Sequence, residues 1–502
     1  MYSARDKVFW FAILSRGIVF ILQLAFNAIC PDHAADAFYS PIDPIEKYNK
    51  LDKVIFFMFS GLTRWDAQYY VHITKYGYTY ENTLAFYPLY PILVKYTAYV
   101  LKIEPPLINY SNTIVISGFL INFVCFVKAS LILYDLSLIV FKDIKIAYRA
   151  AILFCINPAS IFFTALYTES MFAYLTFYTM LESIKNNPCV FLPLSLSSLV
   201  RSNGLINLGF PIYVWIRNLL VTSIPNCKNE LKYYHSNKGS LFFSIRHIWI
   251  SLIQIFVVVI LSILPLHYLQ IYNYEHFCKS DNNASEVPSY VKEYAKNNNL
   301  LLIDEHEFTW CQSKPSLSLI SSYSYIQSKY WDVGFLKYYK FKQIPNFLLA
   351  LPILYIFLNC SYEFFKEHKS KFFTLQFFTG SNDNQKSEKN RYPLEMFVFI
   401  VHGLFLTIVC ISIVHIQVST RLLCSASPVI YWYCALATMK KVQLSKSTKQ
   451  LEYESHDNMY SRWKVFFITQ NEYSYKEKLI FGYFLGYTIL GSFMFSNFLP
   501  WT

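Results

Sequence analysis

Charge is what this chain has least of. Only 15% of its 502 residues are Asp, Glu, Lys or Arg, against about a quarter in ordinary soluble domains. A soluble chain of this length would be expected to divide into several domains. One that is 54% hydrophobic and 19% aromatic instead has the composition of a polytopic membrane protein. Compact motifs are missing too. There is no zinc-like C-x-x-C pair, no P-loop and no G-x-G-x-x-G fingerprint, so neither a structural zinc site nor a nucleotide cradle is signalled. Internal repeats and long low-complexity stretches are likewise absent. A formal charge of +12 raises the question of nucleic acid, but the basic residues gather in loops between apolar runs. That placement follows the positive-inside rule and disfavours nucleic-acid binding.

What the chain does have is apolar runs from end to end. The first, Val8 to Cys30, follows Arg5 and Lys7. It is longer than a signal-peptide core of about 7–15 residues and reads as an uncleaved signal anchor. Others lie near 110–134, 148–165, 168–185, 189–201, 204–220, 247–270, 345–361, 394–414, 422–438 and 478–498. With about 20 apolar residues needed per span, the sequence predicts an all-α polytopic bundle of about eleven transmembrane helices, the shorter ones tilted or broken.

An N-terminus in the cytosol puts the basic loops on the expected side: Lys142 and Lys145; Lys228, Lys232 and Lys238; Lys366, Lys369, Lys386 and Arg391; and Lys440, Lys441, Lys446, Lys449, Arg462 and Lys464. Two large loops, 31–109 with interfacial helices and 271–344, then face the far side with Trp501 and Thr502. The second carries the glycosylation triplet at Asn283, and its Cys278 and Cys311 could pair in an oxidising compartment. A second triplet at Asn109 sits too near a span to be used. The far side therefore reads as the lumen of the secretory pathway. Most other cysteines fall inside apolar runs and read as packed thiols.

Four polar clusters on that side call for explanation. Arg64, Asp66 and His72 lie in an aromatic stretch suited to the membrane–water boundary. With 65–73 helical, Tyr69 shares a face with Asp66. A carboxylate there could take a proton from a sugar hydroxyl, or simply pair with Arg64. Glu169, after Asn157-Pro158-Ala159-Ser160, could cap the next helix or belong to a site. Arg201 in Arg201-Ser202-Asn203-Gly204 runs against the charge rule; phosphate suits its planar fork, and snorkelling is the alternative. His415, Gln417 and Arg421 repeat the anomaly, although a lone histidine there would usually be structural. One acid and several cations at a luminal membrane surface suit an enzyme that uses a phosphorylated lipid.

Residues 23–38 (QLAFNAICPDHAADAF), Arg64-Trp65-Asp66-Ala67, Ala85-Phe86-Tyr87-Pro88, Asn157-Pro158-Ala159-Ser160, Tyr167-Thr168-Glu169-Ser170, Arg201-Ser202-Asn203-Gly204, Tyr330-Trp331-Asp332-Val333-Gly334-Phe335, Gln343-Ile344-Pro345-Asn346-Phe347, His415 to Arg421 and Phe498-Leu499-Pro500-Trp501-Thr502 together resemble the PIG-V family, the GPI mannosyltransferase 2 type. These blocks span nearly the whole chain in order. The resemblance implies a GT-C-like multi-helix membrane domain over 1–502, with luminal loops forming the active site in the endoplasmic reticulum. It implies dolichyl-phosphate-mannose as donor and a mannosyl-glucosaminyl-(acyl)phosphatidylinositol acceptor, which receives its second mannose in α1,6 linkage. It also leaves room for an accessory membrane subunit. By the family pattern the base is Asp66. Relatives often carry a second acid two positions on, where this chain has Gln68, which concentrates the role on Asp66. No bound metal or other cofactor is implied, in keeping with the absence of a DxD-like triplet.

On this reading Arg201 and Arg421 hold the departing phosphate, with Arg64, His72, Glu169, Asn203, His415 and Gln417 as further binding candidates. Rival readings are another dolichyl-phosphate-mannose enzyme, a transporter and a non-catalytic scaffold. A transporter would be expected to show inverted repeats or charges at span centres, and only Arg16 is such a charge. Arg16 either packs against another span or touches lipid phosphate.

Overall fold

The computed structural model describes residues 3–102, 107–220, 238–279, 287–303, 308–312, 321–373, 391–439 and 474–501. Asn283 and most of the cytosol-assigned basic residues (Lys228, Lys232, Lys386, Lys440, Lys441, Lys446, Lys449, Arg462 and Lys464) lie outside the described residues, as does Thr502. Within them the chain is all-α. A single antiparallel bridge, Tyr80 to Leu302, stands where a sheet would be.

Six described helices are long and apolar enough to cross a membrane: Ala4–Ile29, Tyr110–Phe141, Ile248–Cys278, Phe341–Glu367, Leu394–Ser412 and Tyr475–Ser496. The protein is thus a multi-pass membrane protein, but five of the eleven expected spans take a different form. The 148–165 run is helical only to Cys155, and 168–185 forms the 16-residue helix Glu169–Ile184. The 189–201 and 204–220 runs give the short helices Phe191–Ser198 and Gly209–Asn218. The 422–438 run breaks into Ser419–Ala426 and Val429–Ala437. Proline accounts for two of these breaks. A proline cannot donate its missing N–H and biases the preceding residue towards extended backbone. Pro158 follows the end of one helix, and Ser427, just before Pro428, is extended at φ −135°, ψ 129°.

Among the described residues, the interrupted stretches 146–183 and 419–438 are almost wholly buried, and Arg16 shows how one turn among them is held. The residue is 1% exposed. Its guanidinium donates to the Cys155 carbonyl at 2.9 Å, the Ser160 carbonyl at 2.8 Å, Ser160 Oγ at 2.6 Å and Thr164 Oγ1 at 2.9 Å, and lies 3.8 Å over the Phe126 ring. Cys155 ends the Ile144–Cys155 helix, where unpaired carbonyls carry partial negative charge. Arg16 therefore packs against protein and fastens the 156–168 turn.

Segments 31–109 and 271–344 are bound to one another. Glu81, fully buried, accepts from Lys329 Nζ and Tyr330 Oη, both at 2.6 Å, and from Trp310 Nε1 at 3.1 Å. A buried carboxylate needs such partners. The Glu81 N–H also donates to the Leu301 carbonyl at 3.0 Å. Cys278 and Cys311 are joined by a disulfide with their Cα atoms 5.4 Å apart.

Candidate active site

The site begins at a turn. Thr63-Arg64-Trp65 leads into the helix Asp66–Tyr76, and Trp65 takes φ 55°, ψ −127°. A bulky residue pays strain in that region unless its surroundings enforce it. Here Gln68 Nε2 donates to the Thr63 carbonyl at 2.6 Å, and the Asp66 N–H donates to Tyr167 Oη at 3.0 Å. The Trp65 ring meets Phe498 edge-on at 5.8 Å. Asp66 is thereby fixed as the first residue of its helix, where the free N–H groups favour an anion.

Arg421 comes to it from the helix Ser419–Ala426. Its Nη1 donates to Asp66 Oδ2 at 2.9 Å, and its Nε lies 3.8 Å from Glu169 Oε1. Glu169 opens the helix Glu169–Ile184, and the same Oε1 accepts from Arg201 Nη1 at 2.5 Å. Asp66, Arg421, Glu169 and Arg201 thus form one chain of alternating charge drawn from four parts of the sequence. The Glu169 side chain is 1% exposed, Arg201 and Arg421 are each 17% exposed, and Asp66 is 32% exposed, so the chain opens outward at the aspartate. Glu169 Oε2 and Arg421 Nε are buried with no hydrogen-bond partner among the described residues, leaving bonding capacity inside the chain unused.

Burial alone would lower the pKa of Arg421, but the Asp66 and Glu169 carboxylates outweigh it and hold the guanidinium above its ordinary value. Burial, then the Asp66 charge, pushes the Tyr167 phenol well up, so it stays protonated and serves Asp66 as a neutral hydroxyl. The Phe162 and Tyr167 rings flank Arg421 at 5.4 and 5.6 Å, within cation–π range.

The remaining candidates lie elsewhere. Arg64 does not pair with Asp66. It binds Asp32 at 2.9 Å, Asn27 Oδ1 at 2.8 Å and the Ser496 carbonyl at 3.1 Å, joining the first helix, the turn and the last helix. His72 is fully buried, bonded through Nε2 to Thr79 Oγ1 at 2.7 Å and stacked on Tyr80 at 4.6 Å. Burial lowers its pKa to about 3, so it brings no positive charge at neutral pH. His415 stacks on Tyr338 at 4.5 Å, and Tyr338 Oη donates to Gln417 Oε1 at 3.1 Å. This pair forms its own cluster one turn before Arg421. Asn203 is half-buried beside Arg201, with its Nδ2 lacking a partner among the described residues. Sequence reasoning missed Tyr167 as a prop for Asp66, although it stands in the Tyr167-Thr168-Glu169-Ser170 block. It also missed Phe498, which packs under Arg64 at 4.6 Å.

The mannosyltransferase (PIG-V) family model matches residues 5–502. "GPI mannosyltransferase 2" of Drosophila melanogaster is 34% identical over 505 residues, covering 99% of this chain and 100% of that protein. "GPI alpha-1,6-mannosyltransferase 2" of Homo sapiens is 31% identical over 518 residues, covering 99% of each. Among solved structures, the apo oligosaccharyltransferase of Archaeoglobus fulgidus is similar with a TM-score of 0.41 and 12% identity, covering 97% of this chain; the chain spans 55% of that protein.

Proposed function

The chain belongs to the PIG-V mannosyltransferase family, and from that premise we propose that it adds the second mannose, in α1,6 linkage, to the GPI-anchor precursor. The donor is dolichyl-phosphate-mannose and the acceptor is mannosyl-glucosaminyl-(acyl)phosphatidylinositol. The protein sits in the endoplasmic reticulum membrane with its N-terminus in the cytosol, Asn283 in the lumen and the Asp66 end of the ion chain facing the lumen. The observation that carries the reading is the chain Asp66–Arg421–Glu169–Arg201, which joins a carboxylate able to act as base to two cations able to hold a phosphate.

In the reaction, Asp66 takes the proton from the acceptor mannose hydroxyl. That oxygen forms a bond to the anomeric carbon of the donor as the bond from carbon to phosphate oxygen breaks. The electron pair leaves with dolichyl phosphate, and the β donor linkage becomes an α product linkage. Arg201 and Arg421 offset the charge that grows on the departing phosphate. Arg421 donates to the base itself at 2.9 Å. An arriving phosphate competes for that guanidinium, and as Arg421 turns towards it Asp66 is released to accept a proton. Glu169 holds both arginines in register throughout.

The test is lipid analysis of cells lacking the protein. Accumulation of precursor bearing one mannose, cleared by the wild-type chain, is the expected result. Accumulation of a truncated N-glycan precursor with normal GPI lipids would favour the neighbouring class of dolichyl-phosphate-mannose enzyme.

A further inference from the structure

Resting on that reading, we propose that the indole face of Trp331 is the platform on which the acceptor's terminal mannose ring lies. Trp331 ends the helix Ser321–Trp331, and the end of that helix is fixed to the first large segment, since Lys329 and Tyr330 both bind the buried Glu81. The indole meets Tyr69 and Phe86 at 6.1 Å each, with interplanar angles of 62° and 77°. Tyr69 is three residues beyond Asp66 in the same helix, so it lies on the aspartate's face. Trp331 thus packs against a residue on the aspartate's face of that helix.

Within this cluster the indole differs from its neighbours. Tyr69 is covered on both sides, by Phe38 at 4.2 Å and 18° and by Phe86 at 4.4 Å and 17°. Trp331 is half-buried, and its contacts with Tyr69, Phe86 and Tyr330 are inclined by 56–77°. Among the described residues, then, no aromatic ring is stacked on its face. The negative face of an aromatic ring attracts the positively polarised C–H bonds on one side of a pyranose, and the indole is the largest such surface available.

The segment that follows fixes the platform from the other side. The Leu336 N–H donates to the Ser412 carbonyl at 2.7 Å, Tyr339 Oη donates to the Ile411 carbonyl at 2.9 Å, and Tyr338 stacks on His415. Trp331 is thus anchored both to the helix that bears the base and to the turn that precedes Arg421. The phosphate-binding arginines take the donor, which leaves the aromatic side for the acceptor sugar.

The experiment uses the purified full-length enzyme in nanodiscs, with a synthetic acceptor glycolipid of one mannose and dolichyl-phosphate-mannose. Trp331→Leu keeps apolar bulk but removes the π face. It should raise the acceptor KM about tenfold, the factor given by loss of one stacked ring contact, with donor KM and unfolding temperature unchanged. Trp331→Tyr should recover most of the loss. An unchanged acceptor KM in the Leu variant overturns the proposal, as does a parallel rise in both KM values with a lowered unfolding temperature that Tyr does not rescue. Should the wild-type enzyme fail to mannosylate this acceptor at all, it is the proposed function that falls, and the two failures are told apart by that control.

Discussion

Asp66 and Arg421 stand 355 positions apart in the chain and meet at 2.9 Å between Oδ2 and Nη1. The pair is partly open to solvent at the aspartate and closed behind by Glu169, so an anion approaching from outside meets the arginine already engaged. A guanidinium can serve two carboxylates at once, and its planar fork fits phosphate oxygens as well. On the proposed mechanism, this contact is where donor binding and base activation would meet.

Replacing Arg421 tests the phosphate role. Arg421→Lys keeps a charge but loses the fork, and Arg421→Ala loses both. Donor titrations at saturating acceptor should show the donor KM rising by about tenfold for Lys and further for Ala, with the acceptor KM little changed, since a charge-assisted bond is worth about 1.5–3 kcal/mol. Equal donor KM values in wild type and Arg421→Ala would remove Arg421 from the phosphate site.

Glu169 is the shared counter-ion of two arginines. Glu169→Gln leaves them facing each other with only Asp66 to offset them, and breaking a buried pair costs about 3–5 kcal/mol. Thermal unfolding should shift down, and added dolichyl phosphate should restore the variant by more degrees than it raises wild type, because the phosphate replaces the lost anion. Identical ligand-induced shifts in the two proteins would argue that phosphate does not enter between the arginines.

Arg16 tests the brace behind the site. Four oxygens depend on it, and a lysine presents one ammonium where two guanidinium nitrogens now reach them. Both Arg16→Lys and Arg16→Ala should sharply reduce the monodisperse fraction on size exclusion in detergent, with Ala the worse. Wild-type yield from Arg16→Ala would show that the 156–168 turn stands without it.

All-helical membrane character and most of the long spans are legible in the sequence because apolar runs impose them. The broken helices are less so: hydropathy sees 148–165 as continuous, whereas Asn157-Pro158 ends the helix at Cys155 and turns the chain. Asp66, Glu169, Arg201 and Arg421 stand out individually as charges in costly places, and the structure draws them into one chain. Their pairing was not legible, because it depends on which distant helices pack together; the nearest sequence partner, Arg64, in fact binds Asp32. His72 looks similar to these residues in sequence but is enclosed by aromatic rings, and only tertiary packing reveals that it is neutral.

That neutrality gives a pH prediction. The folded protein holds His72 near a pKa of about 3, below the unfolded value of about 6.5. The unfolded chain therefore binds the proton first as pH falls, so the contribution is complete above about pH 6.5 and is progressively lost below it, by about 2 kcal/mol at pH 5. The apparent unfolding temperature should fall between pH 7.5 and 5, and less so in His72→Gln, which cannot titrate. The same fall in both proteins would assign the acid sensitivity to other groups.

The most direct measurement is mannosyl transfer by Asp66→Asn, which keeps the shape of the residue and an oxygen for Arg421 but cannot accept the proton. With purified enzyme, donor and one-mannose acceptor, the turnover number should fall by about a hundredfold or more, with both KM values and the unfolding temperature close to wild type. Turnover within about threefold of wild type would contradict the assignment of Asp66 as the base.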